Sequence, residues 1–220
     1  MPIFVAGTDT DVGKTLVCAW LCYHLKWSYF KPIQTGYSLG RDTQTVEQLA
    51  NCATYPESYC YELPASPHLA AQRAQREINL QQIHLPNKNN LIIEGAGGVL
   101  VPINQKHLMI DLISHFNEYT STPVLLVARG SLGTINHTLL SLQALRARSI
   151  PVLGVIMNGE DPLENKAAIE FYGKTQVLAH LPHLSAPITT QTLASIALAA
   201  SPKNVITNIS NNSDNKNNKS

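Results

Sequence analysis

The chain has 220 residues, 44% of them hydrophobic and 14% charged, with a formal net charge of +1. That length suits one globular domain with a sizeable core, and the near-neutral balance provides neither a basic field for nucleic acid nor an acidic one for a cationic partner. No apolar run approaches the roughly 20 residues that span a bilayer, and Met1–Ala6 lacks the basic start of a secretory leader, so a cytoplasmic protein without membrane association is expected.

Pro2–Ala6 (PIFVA) predicts a buried strand, Gly7–Gly13 a loop, and Lys14–Lys26 a helix with Leu16, Val17, Trp20, Leu21 and Leu25 at helical spacing. Tyr29–Ile33 predicts a second strand, and Asp42–Cys52 and His68–Arg76 predict helices. Asn51–Pro64 offers no site. Asn90–Glu94 (NLIIE) predicts a strand ending at Gly95-Ala96-Gly97-Gly98, and Leu108–Tyr119 is amphipathic. Then come strand Pro123–Ala128, helix Leu132–Ser149, strand Val152–Met157, helix Leu163–Tyr172, strand Gln176–Leu181 and helix Gln191–Ala200. Unbroken Val/Ile/Leu strands alternating with helices imply an α/β domain, its mostly parallel sheet covered by helices on both faces. One domain is expected over residues 1–209. Ser210–Ser220 contains no apolar residue and is expected to be a disordered tail. The four cysteines, Cys18, Cys22, Cys52 and Cys60, lack metal-ligand spacing and read as core or near-core thiols.

The strongest chemical signal is Gly7-Thr8-Asp9-Thr10-Asp11-Val12-Gly13-Lys14-Thr15, placed after a strand and opening a helix. Backbone N–H groups of such a loop point at an anion, and the helix dipole adds to them. Gly13 lets the backbone come close, Lys14 would reach the β- and γ-phosphates of ATP, and the Thr15 hydroxyl would ligate Mg²⁺. The loop is a variant, because five residues rather than four separate Gly7 from Gly13. Two acids are candidate metal ligands. Glu94 ends a buried strand at the edge where open parallel sheets bind ligands, and Asp42 opens a helix, where simple N-capping is the competing reading. The glycines at 95, 97 and 98 would let that loop approach a ligand.

Taken together, GTDTDVGKT (7–15), KPIQTG (31–36), Asp42, SPH (66–68), EGAGG (94–98), GTINHT (133–138) and the strand ending at Asn158 resemble the dethiobiotin synthetase family over about residues 2–184. The resemblance implies a single-domain P-loop NTPase-like fold and an ATP- and Mg²⁺-dependent ligase of biotin biosynthesis. Its substrate would be 7,8-diaminononanoate: one amine takes up CO₂ as a carbamate, ATP phosphorylates the carbamate, and the second amine closes a cyclic urea. By the same resemblance Lys31 and Lys14 are catalytic, and Asp11, Val12, Gly13, Lys14, Thr15, Leu16, Gly95, Ala96 and Gly97 belong to the nucleotide site. Asn158, Gly159, Pro182, His183 and Leu184 would lie near the base. Thr15, Asp42 and Glu94 would hold the metal. Thr10, Thr35, Gly97 and Asn136 would meet the substrate, Asn136 from a neighbouring subunit, which implies a homodimer with shared sites. Ser185–Thr192 departs from the family in containing no acid, where a Glu near the nucleotide is common.

The alternative is a related P-loop switch ATPase that acts through partners. Such proteins carry a second lysine early in the loop, where this chain has Asp9, and often a membrane-seeking tail, where this one is polar. An amide ligase with a glutamine-hydrolysing domain would need a longer chain.

Overall fold

In the computed structural model, which describes residues 1–160, 163–184 and 187–196, the first apolar run forms β1 (Ile3–Gly7), buried throughout. The phosphate-type loop follows and leads into α1 (Lys14–Leu25). The predicted strand at Tyr29–Ile33 is two strands. β2 (Ser28–Phe30) and β3 (Ile33–Thr35) lie in different sheets, with Lys31 and Pro32 as the link between them. The reason is Pro32, which has no N–H to continue a ladder; its carbonyl accepts from the Tyr59 N–H at 3.1 Å.

α2 (Asp42–Ala50) comes next, then β4 (Thr54–Tyr55) and β5 (Tyr59–Tyr61), two short strands in a stretch where none was expected. α3 (Pro67–Arg73) starts with proline in its first turn, where the missing N–H costs nothing. β6 (Leu91–Gly98) continues four residues past Glu94, because Gly7 pairs with Gly98 across an irregularity in the β1–β6 ladder. The remaining elements alternate: α4 (Met109–Tyr119), β7 (Val124–Arg129), α5 (Thr134–Ala147), β8 (Val152–Gly159), α6 (Leu163–Gly173), β9 (Val177–Pro182) and α7 (Thr190–Ile196). The rest of the expected last helix, 197–200, and the polar tail lie outside the described residues.

Seven strands form one sheet in the order β4-β2-β6-β1-β7-β8-β9, every pair parallel. β3 and β5 form a separate parallel pair. Alternate residues of each strand enter two cores. Ile3, Val5, Tyr29, Ile92, Leu125 and Ile156 share one with Val17, Trp20 and Leu21 of α1, Val46 of α2 and Leu193 of α7. Phe4, Ala6, Phe30, Ile93, Leu126 and Met157 share the other with Ile113 and Phe116 of α4, Leu142 of α5 and Ile169 of α6. Helices therefore cover both faces, as the continuous apolar strands require. The four cysteines are free, with Cys18 and Cys22 buried. Among the described residues no helix is long and apolar enough to cross a membrane.

The order matters for function because β1 lies between β6 and β7. The chain leaves β1 toward one side of the sheet and later returns to the other. The crevice at the C-terminal end of β1 is thus a topological switch point, where open α/β sheets bind ligands.

Candidate active site

The loop after β1 turns back over its own strand. Thr8 N–H donates to Val127 O at 2.9 Å, and Lys14 Nζ donates to Asp9 O at 3.0 Å. Asp9 is held from outside as well: its Oδ2 accepts from Arg129 at the end of β7 at 2.7 Å. Gly13, with φ of 92°, is the left-handed residue before α1. A Cβ there would overlap the Asn158 side chain, so glycine is required by packing as well as by backbone angle.

The β2–β3 link, α2 and β6 bring three charged groups to one point, where α1 and β2 add hydroxyls. Lys31 is 4% exposed and Glu94 1%. Lys31 Nζ donates to Glu94 Oε1 at 2.9 Å and forms a close ion pair with Asp42 Oδ2. Thr15 Oγ1 donates to the same Glu94 oxygen at 3.0 Å, and Tyr29 Oη donates to Glu94 Oε2 at 2.7 Å. Asp42 does not cap α2. It is the first helical residue after Arg41, no side chain caps that end, and its carboxylate faces Lys31. Gln34 braces this corner, accepting from the Asp42 N–H at 3.1 Å and donating to Thr35 O at 2.8 Å.

The two lysines differ electrostatically. Burial alone would lower the pKa of Lys31, but the Glu94 and Asp42 carboxylates outweigh it and hold the ammonium above its ordinary value. Burial pushes Lys14 below its ordinary value, with Glu94 pulling the other way and Lys31 adding to the depression. Lys14 is thus the more poorly compensated cation, suited to an incoming polyanion.

These groups line a cleft of about 750 Å³. Thr10, Asp11, Gly13, Lys14 and Thr15 border it from the loop side, and Lys31, Thr35 and Asp42 from the β2–β3 link, β3 and α2. Glu94, Ala96 and Gly97 border it from β6. Gly97 has φ of 70°, and a Cβ there would come within 2.7 Å of Val101 Cγ2, so the turn needs glycine. Gly95 has a different cause: its Cβ would meet the Phe4 ring at 2.8 Å, which makes it a packing glycine rather than one freed for a ligand.

Some expected residues lie elsewhere. Val12 is buried in the α1 core and Leu16 packs against that core. Asn158 sits behind the loop, its Nδ2 donating to Val12 O at 3.2 Å. Gly159 pairs with Pro182, so β8 and β9 end side by side; exposed His183 and half-buried Leu184 follow. Asn136 is exposed on α5 and away from the cleft. Gly133 is the N-cap residue of α5, and no side chain caps that end. Sequence reading missed Gln34, Pro64 and Val101, which also line the cleft. Pro64 corrects the expectation that Asn51–Pro64 offers no site: β5 carries it against Gly36. That segment also supplies Glu57, which accepts from Thr43 of α2 at 2.7 Å.

The donor set fits a hard divalent cation. Two carboxylates and a hydroxyl converge on a point where a positive charge, the Lys31 ammonium, already sits. Among the described residues no three His, Cys, Asp or Glu side chains form a cage. A hard cation such as Mg²⁺ needs only one or two carboxylates from a protein and completes its shell with water and phosphate oxygens, so this donor set is sufficient for one.

Comparison with known proteins agrees with this geometry. Residues 2–210 match the family model described as an AAA domain. The chain is 53% identical over 198 residues to the ATP-dependent dethiobiotin synthetase of Lawsonia intracellularis, covering 90% of this chain and 95% of that one. It is 47% identical over 196 residues to the enzyme of the same name from Paramagnetospirillum magneticum, covering 88% and 93%. A ParA-family ATPase from Chlorobium tepidum superposes with a TM-score of 0.53 at 11% identity, covering 94% of this chain and 97% of that one, which is a likeness of fold alone. With near-complete coverage at these identities, and with the phosphate-loop lysine and the KPIQTG lysine meeting in one cleft, the chain belongs to the ATP-dependent dethiobiotin synthetase family.

Proposed function

We propose that the chain uses ATP and Mg²⁺ to carboxylate 7,8-diaminononanoate with CO₂ and close the ring of dethiobiotin. The observation that carries the reading is the Lys31 ammonium, buried between Asp42 and Glu94 at the mouth of the phosphate-type loop. A buried cation beside a polyanion loop suits a reaction that builds negative charge on a small substrate.

The chemistry divides among the residues. One substrate amine adds to CO₂ and loses a proton, giving a carbamate. A carbamate oxygen attacks the γ-phosphorus, and ADP leaves. The second amine attacks the carbonyl carbon, the C–O bond breaks, and phosphate departs from the cyclic urea, carrying off the proton that the amine gives up. Lys31, held as an ammonium, takes no proton; it stabilises the carbamate and the charge that develops at its oxygen. Lys14 and the loop N–H groups hold the phosphates. Thr15, Asp42 and Glu94 would hold Mg²⁺, whose contribution there is to neutralise the transferring phosphoryl group. Thr10, Thr35 and Gly97 border the substrate end of the cleft. Asn158, Gly159 and the Pro182–Leu184 segment flank the base. Asn136, exposed on α5, reaches the substrate carboxylate of a second subunit in a homodimer.

The test is product formation. Purified protein incubated with 7,8-diaminononanoate, bicarbonate, Mg²⁺ and ATP should give dethiobiotin by mass spectrometry, and omitting any one component should abolish it. ATP hydrolysis indifferent to the diamine would instead favour a partner-driven switch.

A further inference from the structure

Tyr29 has no place in the chemistry above, yet its hydroxyl donates to one oxygen of a site carboxylate. It sits in the middle of β2 and is 0% exposed, within the core shared by α1, α2 and α7. Phenylalanine would supply the same apolar bulk. A hydroxyl in that position must find a partner or be penalised for losing water. Its partner is Glu94 Oε2, at 2.7 Å. The pairing follows from the sheet: Tyr29 is in register with Ile92 of β6, and Glu94 lies two residues further on, on the same face.

The two oxygens of Glu94 are therefore divided. Oε2 is tied on the core side by Tyr29, while Oε1 accepts from Thr15 and Lys31 on the cleft side. A glutamate carboxylate turns freely about its last torsion unless something holds it.

We infer that Tyr29 is a positioning residue, which tethers Glu94 Oε2 so that Oε1 is presented to the metal beside Thr15. The inference rests on the reading of Glu94 as a metal ligand. Outer partners of this kind act through metal affinity more than through the chemical step.

The experiment titrates Mn²⁺ into the full chain loaded with a non-hydrolysable ATP analogue, following free Mn²⁺ by electron paramagnetic resonance. Tyr29→Phe should weaken Mn²⁺ binding roughly tenfold while leaving metal-free nucleotide binding unchanged. Tyr29→Leu, which also lacks the hydroxyl, is the second variant should the first fail to accumulate, and is expected to show the same loss. In a Glu94→Gln background, Tyr29→Phe should add nothing. Mn²⁺ binding by Tyr29→Phe equal to wild type, with only a lower melting temperature, would reduce Tyr29 to core filling and overturn the inference alone. Wild type and Glu94→Gln binding Mn²⁺ equally would overturn the metal reading of Glu94, and the inference with it.

Discussion

Lys31 owes its position to a break in the chain. Pro32 ends the ladder of β2, and the two-residue link drops the lysine between a carboxylate on β6 and another at the start of α2. Both partners raise its pKa, so below the ordinary lysine value the ammonium is fully formed in the folded state. Lys31→Ala should therefore leave nucleotide binding intact, since Lys14 and the loop backbone remain, and lower dethiobiotin formation roughly 10²- to 10³-fold, the size of effect seen when a charge-stabilising donor is lost. Isothermal titration with an ATP analogue and a product assay separate the two. Normal turnover would remove Lys31 from the mechanism. Lys14, Thr15 and Glu94 stood out in the sequence by local pattern, Asp42 by its place at a helix start and Lys31 by the family resemblance, and the structure gathers all five in one cleft. Tyr29 and Gln34 did not stand out. Their partners are 65 and 8 residues away, and within a strand a tyrosine looks like any other apolar residue.

At the scale of elements, long periodic segments were legible and short ones were not. α1, α4, α5 and α6 fall within a few residues of their predicted bounds, because their apolar residues recur over several turns. β4 and β5, at two and three residues, are too short for any period to register, and they form only because β2 and β3 supply waiting edges. Ends depend on chemistry that periodicity does not capture. α4 begins at Met109 because Asp111 turns back to accept from the Leu108 N–H at 2.8 Å; its other oxygen accepts from Arg148 at 2.7 Å. Asp111→Ala removes that cap and should cost about 1 kcal/mol, with the half-exposed arginine adding little. Since α4 packs on the face opposite α1, turnover at saturating substrate should be unchanged. Urea unfolding with a matched kinetic assay checks both halves. A large loss of turnover would mean that α4 governs the cleft.

At the scale of the whole molecule, the parallel sheet gathers the working groups at the C-terminal ends of β1, β6 and the β2–β3 link, but Asn136 stands apart. It lies on the exposed side of α5 near Leu140, with wholly exposed Leu132 just before the helix. Exposed apolar side chains beside Asn136 are the kind of surface that the proposed second copy of the chain would cover. If Asn136 serves the site of its neighbour, two inactive proteins should rescue one another. A mixed dimer of Lys31→Ala and Asn136→Ala subunits contains one site with both residues intact and one with neither. Equal mixing with free exchange makes half the dimers mixed, so activity should recover to about a quarter of wild type in the limit of two fully inactive parents. If Asn136 instead acts within its own subunit, each site of a mixed dimer has one defect and mixing restores nothing. Dethiobiotin formation before and after subunit exchange, with mass photometry to verify the mixed species, distinguishes a shared site from a self-contained one.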